Sequence, residues 1–177
     1  MHDRLPLRQV ALSIAVVAAA ALRVAAGAPI DQATGDACKL LTAKQVSSVL
    51  GVPVDEGAYS LPGLTQFCIW REQGKPQAIA QNVQVNFLTP RQFDLPKSGP
   101  LAKGPEGGLG DDAYWAYTPG IGYTLSIKKA SAYIRVQSRP IPEGIARRSD
   151  TPADKAKWDE KEKTVEKAIA AELLKKL

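Results

Sequence analysis

The residues with the most definite chemistry are Cys38 and Cys68, the only two cysteines in the chain. An even cysteine count in an exported chain predicts a disulfide, and the first 27 residues of this chain predict export. The bond would close a loop of about 30 residues, worth ~3–4 kcal/mol on the chain-entropy estimate. It would tie the start of the first helix to the first core strand. A reactive thiol or a metal ligand is the alternative, but neither cysteine belongs to a CxxC motif.

Groups suited to catalysis are scarce. The single histidine, His2, falls in the predicted leader, so the remaining chain lacks the base of Ser-His-Asp systems and the usual zinc ligand. No Gly-rich phosphate loop of standard spacing is present. Asp111 and Asp112 are adjacent, and a strand that begins there points them to opposite faces. With Glu106 they match no calcium-loop pattern. We therefore predict no enzymatic activity, no cofactor and no metal site, with a carboxylate-dependent envelope hydrolase as the alternative.

A second group of side chains is suited to binding. Tyr114, Trp115 and Tyr117 follow one another in a predicted strand, beside a long Pro/Gly-rich segment at 94–110. Alternation places Tyr114 on one face and the other two on the opposite face, so one set is available for an aromatic patch. Basic residues around the long segment would form a rim. Core packing or cross-strand pairing of the aromatic rings is the alternative. The predicted ligand- or partner-binding residues are Arg91, Lys97, Lys103, Tyr114, Trp115 and Tyr117.

The first 27 residues have the layout of a secretory signal peptide. Arg4 and Arg8 precede an apolar run over 10–22, and small residues follow at 25–28. The run is too short to cross a hydrocarbon core of ~30 Å comfortably, although an uncleaved anchor is the alternative. We predict cleavage after Gly27, a periplasmic or secreted location, and no stable membrane insertion afterwards.

Removal of this leader changes the charge balance. It takes away three arginines and one aspartate, so the formal charge falls from +5 to +3. The basic residues that remain alternate with acids, most densely over 154–176. A nucleic-acid interface requires basic residues clustered on one face, so we predict no nucleic-acid partner.

Local patterns predict an α+β domain. Thr42 and Gln45 form a capping-box pattern for a helix over 42–50. Strands over 67–71 and 78–88 would form a hairpin, because Val, Val and Phe alternate with polar residues in the second. Three further strands, 113–117, 123–128 and 132–137, are joined by short turns and predict an antiparallel meander. A last helix begins at Thr151, with Trp158, Val165, Ile169 and Leu173 on one face.

The predicted organisation is a signal peptide over 1–27, a flexible lead-in over 28–37 and a single domain over 38–177. Its mostly antiparallel sheet would have about five strands, with an N-terminal and a C-terminal helix packed on it. The 94–110 segment is predicted to be a loop, because its proline and glycine content fits no packed element.

Three short motifs carry a resemblance to a family. The chain resembles an uncharacterised group of exported bacterial domains, best known as actinobacterial cell-envelope lipoproteins of unknown function. More remotely, it resembles the extracellular sensor domain of a mycobacterial serine/threonine kinase. The resemblance implies an α+β fold, a Cys38–Cys68 disulfide and a non-catalytic binding or sensing role. A lipid-attachment cysteine, a kinase and a transmembrane segment are missing here, so anchoring and signalling are not implied. The motifs are Cys38–Thr42 with Val46 and Leu50–Pro53, Cys68–Trp70, and Gly108–Trp115.

These inferences combine into one expectation about function. We predict an exported, non-catalytic envelope protein that binds a small ligand or an envelope protein through the 94–110 segment and the neighbouring aromatic strand. The alternatives are the carboxylate-dependent hydrolase above and a membrane-peripheral structural protein that uses its last helix.

Overall fold

The computed structural model describes residues 35–142 and 151–177, and the findings below concern these two ranges. The predicted signal peptide over 1–27, most of the predicted lead-in over 28–37 and residues 143–150 lie outside them. Within the described residues, Ala37 is buried and begins a short 3₁₀ turn that carries Cys38. None of the described helices is both long enough and apolar enough to cross a membrane.

Three α-helices form in these two ranges, each where the sequence provides a cap. Helix α1, Ala43–Leu50, begins with the predicted capping box, in which the Thr42 side chain accepts from the backbone of Gln45 and the reverse bond is also made. Gly51 ends it in the left-handed conformation. Helix α2, Pro90–Lys97, has a second capping box made by Thr89 and Gln92. Helix α3, Pro152–Leu174, is capped by the Thr151 hydroxyl, and proline occupies its first turn.

Seven strands of the described residues form one sheet in which every neighbouring pair is antiparallel. The strands are β1 Ala58–Tyr59, β2 Phe67–Arg71, β3 Asn82–Phe87, β4 Ala102–Pro105, β5 Asp112–Thr118, β6 Gly122–Lys129 and β7 Ala132–Arg139. Their order in the sheet is β1-β2-β3-β7-β6-β5-β4, so the β3–β7 pairing joins the two halves of the chain. The α+β class and the antiparallel sheet are confirmed, but the predicted number of about five strands is too low.

The predicted loop over 94–110 is wrong in two places. Its first part completes α2, which tolerates Pro96 near its end. Its middle forms β4, an irregular edge strand whose register with β5 shifts between Ala102 and Gly104. An edge strand accepts proline and glycine because only one of its sides is paired, and composition alone therefore underestimates it.

The helices cover the sheet from both sides. Helices α1 and α3 lie on one face, where the main core contains Val46, Trp70, Leu125 and Ile169. Helix α2 lies on the other face, where Phe93 packs on Tyr114 and Tyr133. The predicted disulfide is present and joins the 3₁₀ turn to β2, with 5.0 Å between the two Cα atoms.

Candidate functional site

Two of the six predicted binding residues lie in the interior. Tyr114 is 1% exposed, and its hydroxyl donates to the carbonyl oxygen of Phe93 at 2.7 Å. Trp115 is buried on the opposite face, as alternation predicted, and its indole Nε1 donates to Glu106 Oε2 at 2.6 Å. Both side chains hold neighbouring segments against β5. They therefore serve core packing, the alternative to ligand binding that the sequence left open.

Arg91 and Lys97 lie on α2, on the opposite side of the sheet from Lys103 and Tyr117. Arg91 is exposed. Lys97 forms an ion pair with Asp112 and lies 5.9 Å from the centroid of the Phe93 ring. Helix α2 packs on the face of the sheet opposite to α3, so these cations and the remaining predicted residues do not form one site.

Lys103 and Tyr117 do come together, and α3 adds to them. The Lys103 Nζ atom lies 6.0 Å from the Tyr117 ring centroid, and Lys155 Nζ lies 4.6 Å from the same centroid. Lys163 Nζ lies 4.0 Å from the Tyr123 ring, which packs 5.1 Å from that of Tyr117. We call these five residues the lysine–tyrosine cluster. Sequence reasoning missed its α3 members because their spacing along a helix indicates only a solvated face.

Acidic side chains balance part of this cluster. Lys155 donates to Asp159 at 2.6 Å, and this bond raises the pKa of the lysine. Glu106 accepts from Trp115 and pairs with Lys167 at 2.9 Å, and these bonds hold its pKa below the usual range, the Trp115 bond most strongly. Within the described ranges, no carboxylate forms an ion pair with Lys103 or Lys163. The cluster therefore presents two ammonium groups that form no ion pair in these ranges, beside two partly exposed phenol rings. The charge of one of them, Lys163, also contributes to lowering the pKa of Glu106.

The two aspartates considered for hydrolysis, and Glu106, which was considered with them as a calcium ligand, each hold local structure. Asp111 accepts from the backbone N–H of Ala130 at 2.6 Å, the main reason that its pKa is lowered. Asp112 pairs with Lys97 on α2. Glu106 is bound by Trp115 and Lys167. The two aspartates therefore do not share an acid–base site, and in the part of the chain that the structure describes no group of three or more potential ligands is arranged around a metal position.

A pair of buried glutamates on α3 was not predicted. Glu162 and Glu166 are both 0% exposed and face the sheet one helical turn apart. Glu162 Oε2 accepts from the backbone N–H of Tyr123 at 3.1 Å, and Glu166 Oε1 accepts from the backbone N–H of Ser138 at 2.9 Å. The only sequence signal was their spacing, which places them among the apolar residues of α3.

The two carboxylates accept hydrogen bonds at the end of the sheet where β6 and β7 stop pairing with each other. The paired residues of β6 and β7 begin at Leu125 and Val136, and two positions further toward this end Tyr123 and Ser138 do not pair with each other. Tyr123 pairs only with β5 and Ser138 only with β3. Their backbone N–H groups bond to the glutamates instead. Burial raises the pKa of Glu166 well above the usual range, and the neighbouring carboxylate of Glu162 adds to this. The pair is structural in this geometry, because no substrate reaches side chains that are fully enclosed.

Comparisons with protein-family models, with curated proteins and with solved structures gave no match to this chain. The geometry defines the class of protein as a disulfide-bonded α+β domain. The resemblance to exported lipoproteins and to the kinase sensor domain stays a prediction.

Proposed function

We propose that this protein is an exported, non-catalytic domain that binds an acidic protein partner through the lysine–tyrosine cluster. The observation that carries the proposal is the placement of two ammonium groups, on Lys103 and Lys163, against tyrosine rings, where neither forms an ion pair with a carboxylate of the described residues. A carboxylate of a partner would accept hydrogen bonds from these groups, since each ammonium has three donors.

The tyrosines supply the second requirement of a binding surface. Tyr117 and Tyr123 are partly exposed and pack on each other, and Tyr123 also contacts the buried Trp115 edge to face at 6.1 Å. Rings fixed in this way lose little conformational freedom on binding, which is why tyrosine recurs at interface hot spots. The scaffold is rigid as well, because the rings lie on strands and two of the lysines lie on a long helix.

Export and the lack of catalysis rest on separate observations. The Cys38–Cys68 disulfide is of the kind that persists in oxidising compartments, and the described helices include no membrane span. The two adjacent aspartates at the start of β5, Asp111 and Asp112, are each held by a local partner. These facts support an extracytoplasmic binding domain over the carboxylate-dependent hydrolase.

Site-specific photo-crosslinking in intact envelopes tests this function. A photo-reactive phenylalanine at position 117 is compared with the same residue at position 59, where Tyr59 is exposed on a distant edge strand. We expect a discrete protein adduct from position 117 only, and its loss when Lys103→Gln and Lys163→Gln are combined. The matched control removes two exposed lysines elsewhere, Lys44 and Lys75.

Three results would overturn the proposal. The first is the same set of adducts from both labelled positions, which would mean that the surface is not selective. The second is an adduct that survives the Lys103→Gln and Lys163→Gln pair, which would mean that the ammonium groups do not recognise the partner. Loss of the adduct in the Lys44 and Lys75 control as well would show that only net charge matters, and it also contradicts a localised site.

A further inference from the structure

The face of the sheet opposite to α1 and α3 carries a groove that α2 leaves uncovered. Helix α2 covers one end of this face through Phe93. Beyond it, strands β3 and β7 and the turn between β5 and β6 enclose a groove of about 210 Å³. Its lining residues are Asn82, Gln84, Gly120, Ile121, Gln137 and Arg139.

Strand register arranges arginines and amides across this groove. Asn82 of β3 pairs directly with Arg71 of β2 on one side and with Arg139 of β7 on the other. Directly paired residues of antiparallel strands point to the same face, so the two arginines flank an amide about two strand spacings, roughly 10 Å, apart. One step along the sheet, Gln84 pairs with Gln137. We call the groove, together with Arg71 on the strand next to it, the arginine–amide groove; its polar residues are Arg71, Asn82, Gln84, Gln137 and Arg139.

The charge of this groove has one sign. None of its lining residues is acidic, and in residues 35–142 and 151–177 no carboxylate forms an ion pair with Arg71 or Arg139. Arg139 is exposed, and Ile121, 49% exposed, adds an apolar surface at the rim. The amides are held in place by a bond from Gln84 Nε2 to Asn82 Oδ1 at 3.1 Å.

The chemistry of these side chains selects a ligand class. A guanidinium group binds a carboxylate through two parallel hydrogen bonds, and a carboxamide both donates to and accepts from hydroxyl groups. A chain of sugars that carries carboxylates presents both partners at regular intervals, and its ring carbons can pack on Ile121. We propose that the arginine–amide groove binds an acidic polysaccharide, whose carboxylates pair with the two arginines and whose hydroxyl groups bond to the amides.

This site is independent of the lysine–tyrosine cluster. The cluster lies on the α3 side of the sheet, whereas Asn82 and Gln84 point to the other side, since Val83 and Val85 of the same strand are in the α3-side core. An oligosaccharide and an acidic protein partner are therefore expected to bind at the same time.

Calorimetry with a defined oligosaccharide tests the proposal. The probe is hexagalacturonate, which has a carboxylate on every sugar, and its fully methyl-esterified form serves as the neutral control. The protein is purified from cells that express the full chain. We expect binding of the acidic hexamer with a Kd below about 1 mM and at least tenfold weaker binding of the ester.

Charge variants locate the site. Gln137→Glu places a carboxylate at the centre of the groove and is expected to weaken binding of the hexamer at least tenfold. Gln77→Glu adds the same charge at an exposed position outside the groove and is expected to change the affinity less than twofold. Arg139→Gln is likewise expected to weaken binding, whereas Arg91→Gln, a matched loss of an exposed arginine on α2, is not.

Several results would overturn this inference. They are no binding of the acidic hexamer, equal binding of the ester, or equal affinity in Gln137→Glu and the unsubstituted protein. Binding that is lost only when Lys103 and Lys163 are both replaced would assign the saccharide to the lysine–tyrosine cluster, and it too contradicts a site in the groove. Thermal melting of each variant verifies that lost binding does not reflect lost folding.

Discussion

Glu166, on the buried side of α3, accepts two hydrogen bonds from Ser138 of β7, one from the backbone N–H at 2.9 Å and one from the hydroxyl at 3.3 Å. Ser138 lies where β7 has separated from β6, so its N–H has no strand partner on that side. An unsatisfied buried N–H costs ~1–3 kcal/mol, and the glutamate removes that cost. Helix α3 thus supplies the acceptor that β6 does not. Glu162, one helical turn earlier, does the same for the backbone N–H of Tyr123.

Folding stability should depend on pH through Glu166. Because burial raises the pKa of this carboxyl, the folded protein retains a proton that the unfolded chain releases. The free energy of unfolding should therefore fall as pH rises above the ordinary glutamate range, by up to ~1.4 kcal/mol per pH unit for one proton, and should level off above the raised pKa. Glu166→Gln keeps the acceptor oxygen and is expected to remove this component.

Urea unfolding at several pH values between about 4.5 and 8 measures this effect. The matched control is Glu160→Gln, on an exposed position of the same helix, which should preserve the pH profile of the unsubstituted protein. Identical profiles for Glu166→Gln and the unsubstituted protein would contradict a proton held at Glu166.

Substitution of Gly122 should lower the free energy of unfolding more than substitution of Gly120, two residues earlier. Both have a positive φ, 108° and 79° respectively, which costs an L-residue ~1–2 kcal/mol. A Cβ atom at Gly122 would in addition lie 2.5 Å from Glu162 Oε2, whereas at Gly120 it would have no atom within 4 Å. We expect Gly122→Ala to lower the free energy of unfolding by at least ~1 kcal/mol more than Gly120→Ala does. Denaturant unfolding of both variants measures the difference, and equal losses would mean that Glu162 does not lie against this glycine.

The parts of the fold that follow local rules could be predicted from sequence. The capping box of α1 requires only Thr42 and Gln45, and the alternation in β3 and in β5 to β7 shows directly which side chains share a face. β4 could not be predicted in this way, because its Gly104 and Pro105 are unfavourable in most strands and are accepted only at an edge. The two residues of β1 are too few to give a period.

The candidate site depends on tertiary contacts that no local pattern contains. Lys103 and Lys155 meet at Tyr117 although they come from an edge strand and a distant helix. The glutamates of α3 were missed for another reason. Charged side chains are rarely buried, because an unpaired buried charge is costly. Glu162 and Glu166 are buried here because the backbone N–H groups of Tyr123 and Ser138 donate hydrogen bonds to them.

The Cys38–Cys68 disulfide should contribute much of the stability. It closes a 30-residue separation and fixes the 3₁₀ turn to β2, beside the buried Trp70. Replacement of both cysteines by alanine is expected to lower the free energy of unfolding by ~3–4 kcal/mol. Guanidinium unfolding of this variant is compared with that of the unsubstituted protein with and without a reductant. If the reductant lowered the free energy of unfolding of the double-alanine variant as much as that of the unsubstituted protein, its effect would not come from this disulfide.

Phe93 should be the residue that fixes α2 to the sheet. Its ring is fully buried and lies 5.2 Å from that of Tyr114 and 5.4 Å from that of Tyr133. Phe93→Ala removes both contacts and is expected to cost ~3–5 kcal/mol, with a reduced near-ultraviolet circular dichroism signal from the tyrosines. Leu95→Ala, on the same helix but 68% exposed, should stay within ~0.5 kcal/mol of the unsubstituted protein. If the two substitutions had the same small effect, α2 would not be packed on this face in solution, and the uncovered area next to the arginine–amide groove would be correspondingly larger.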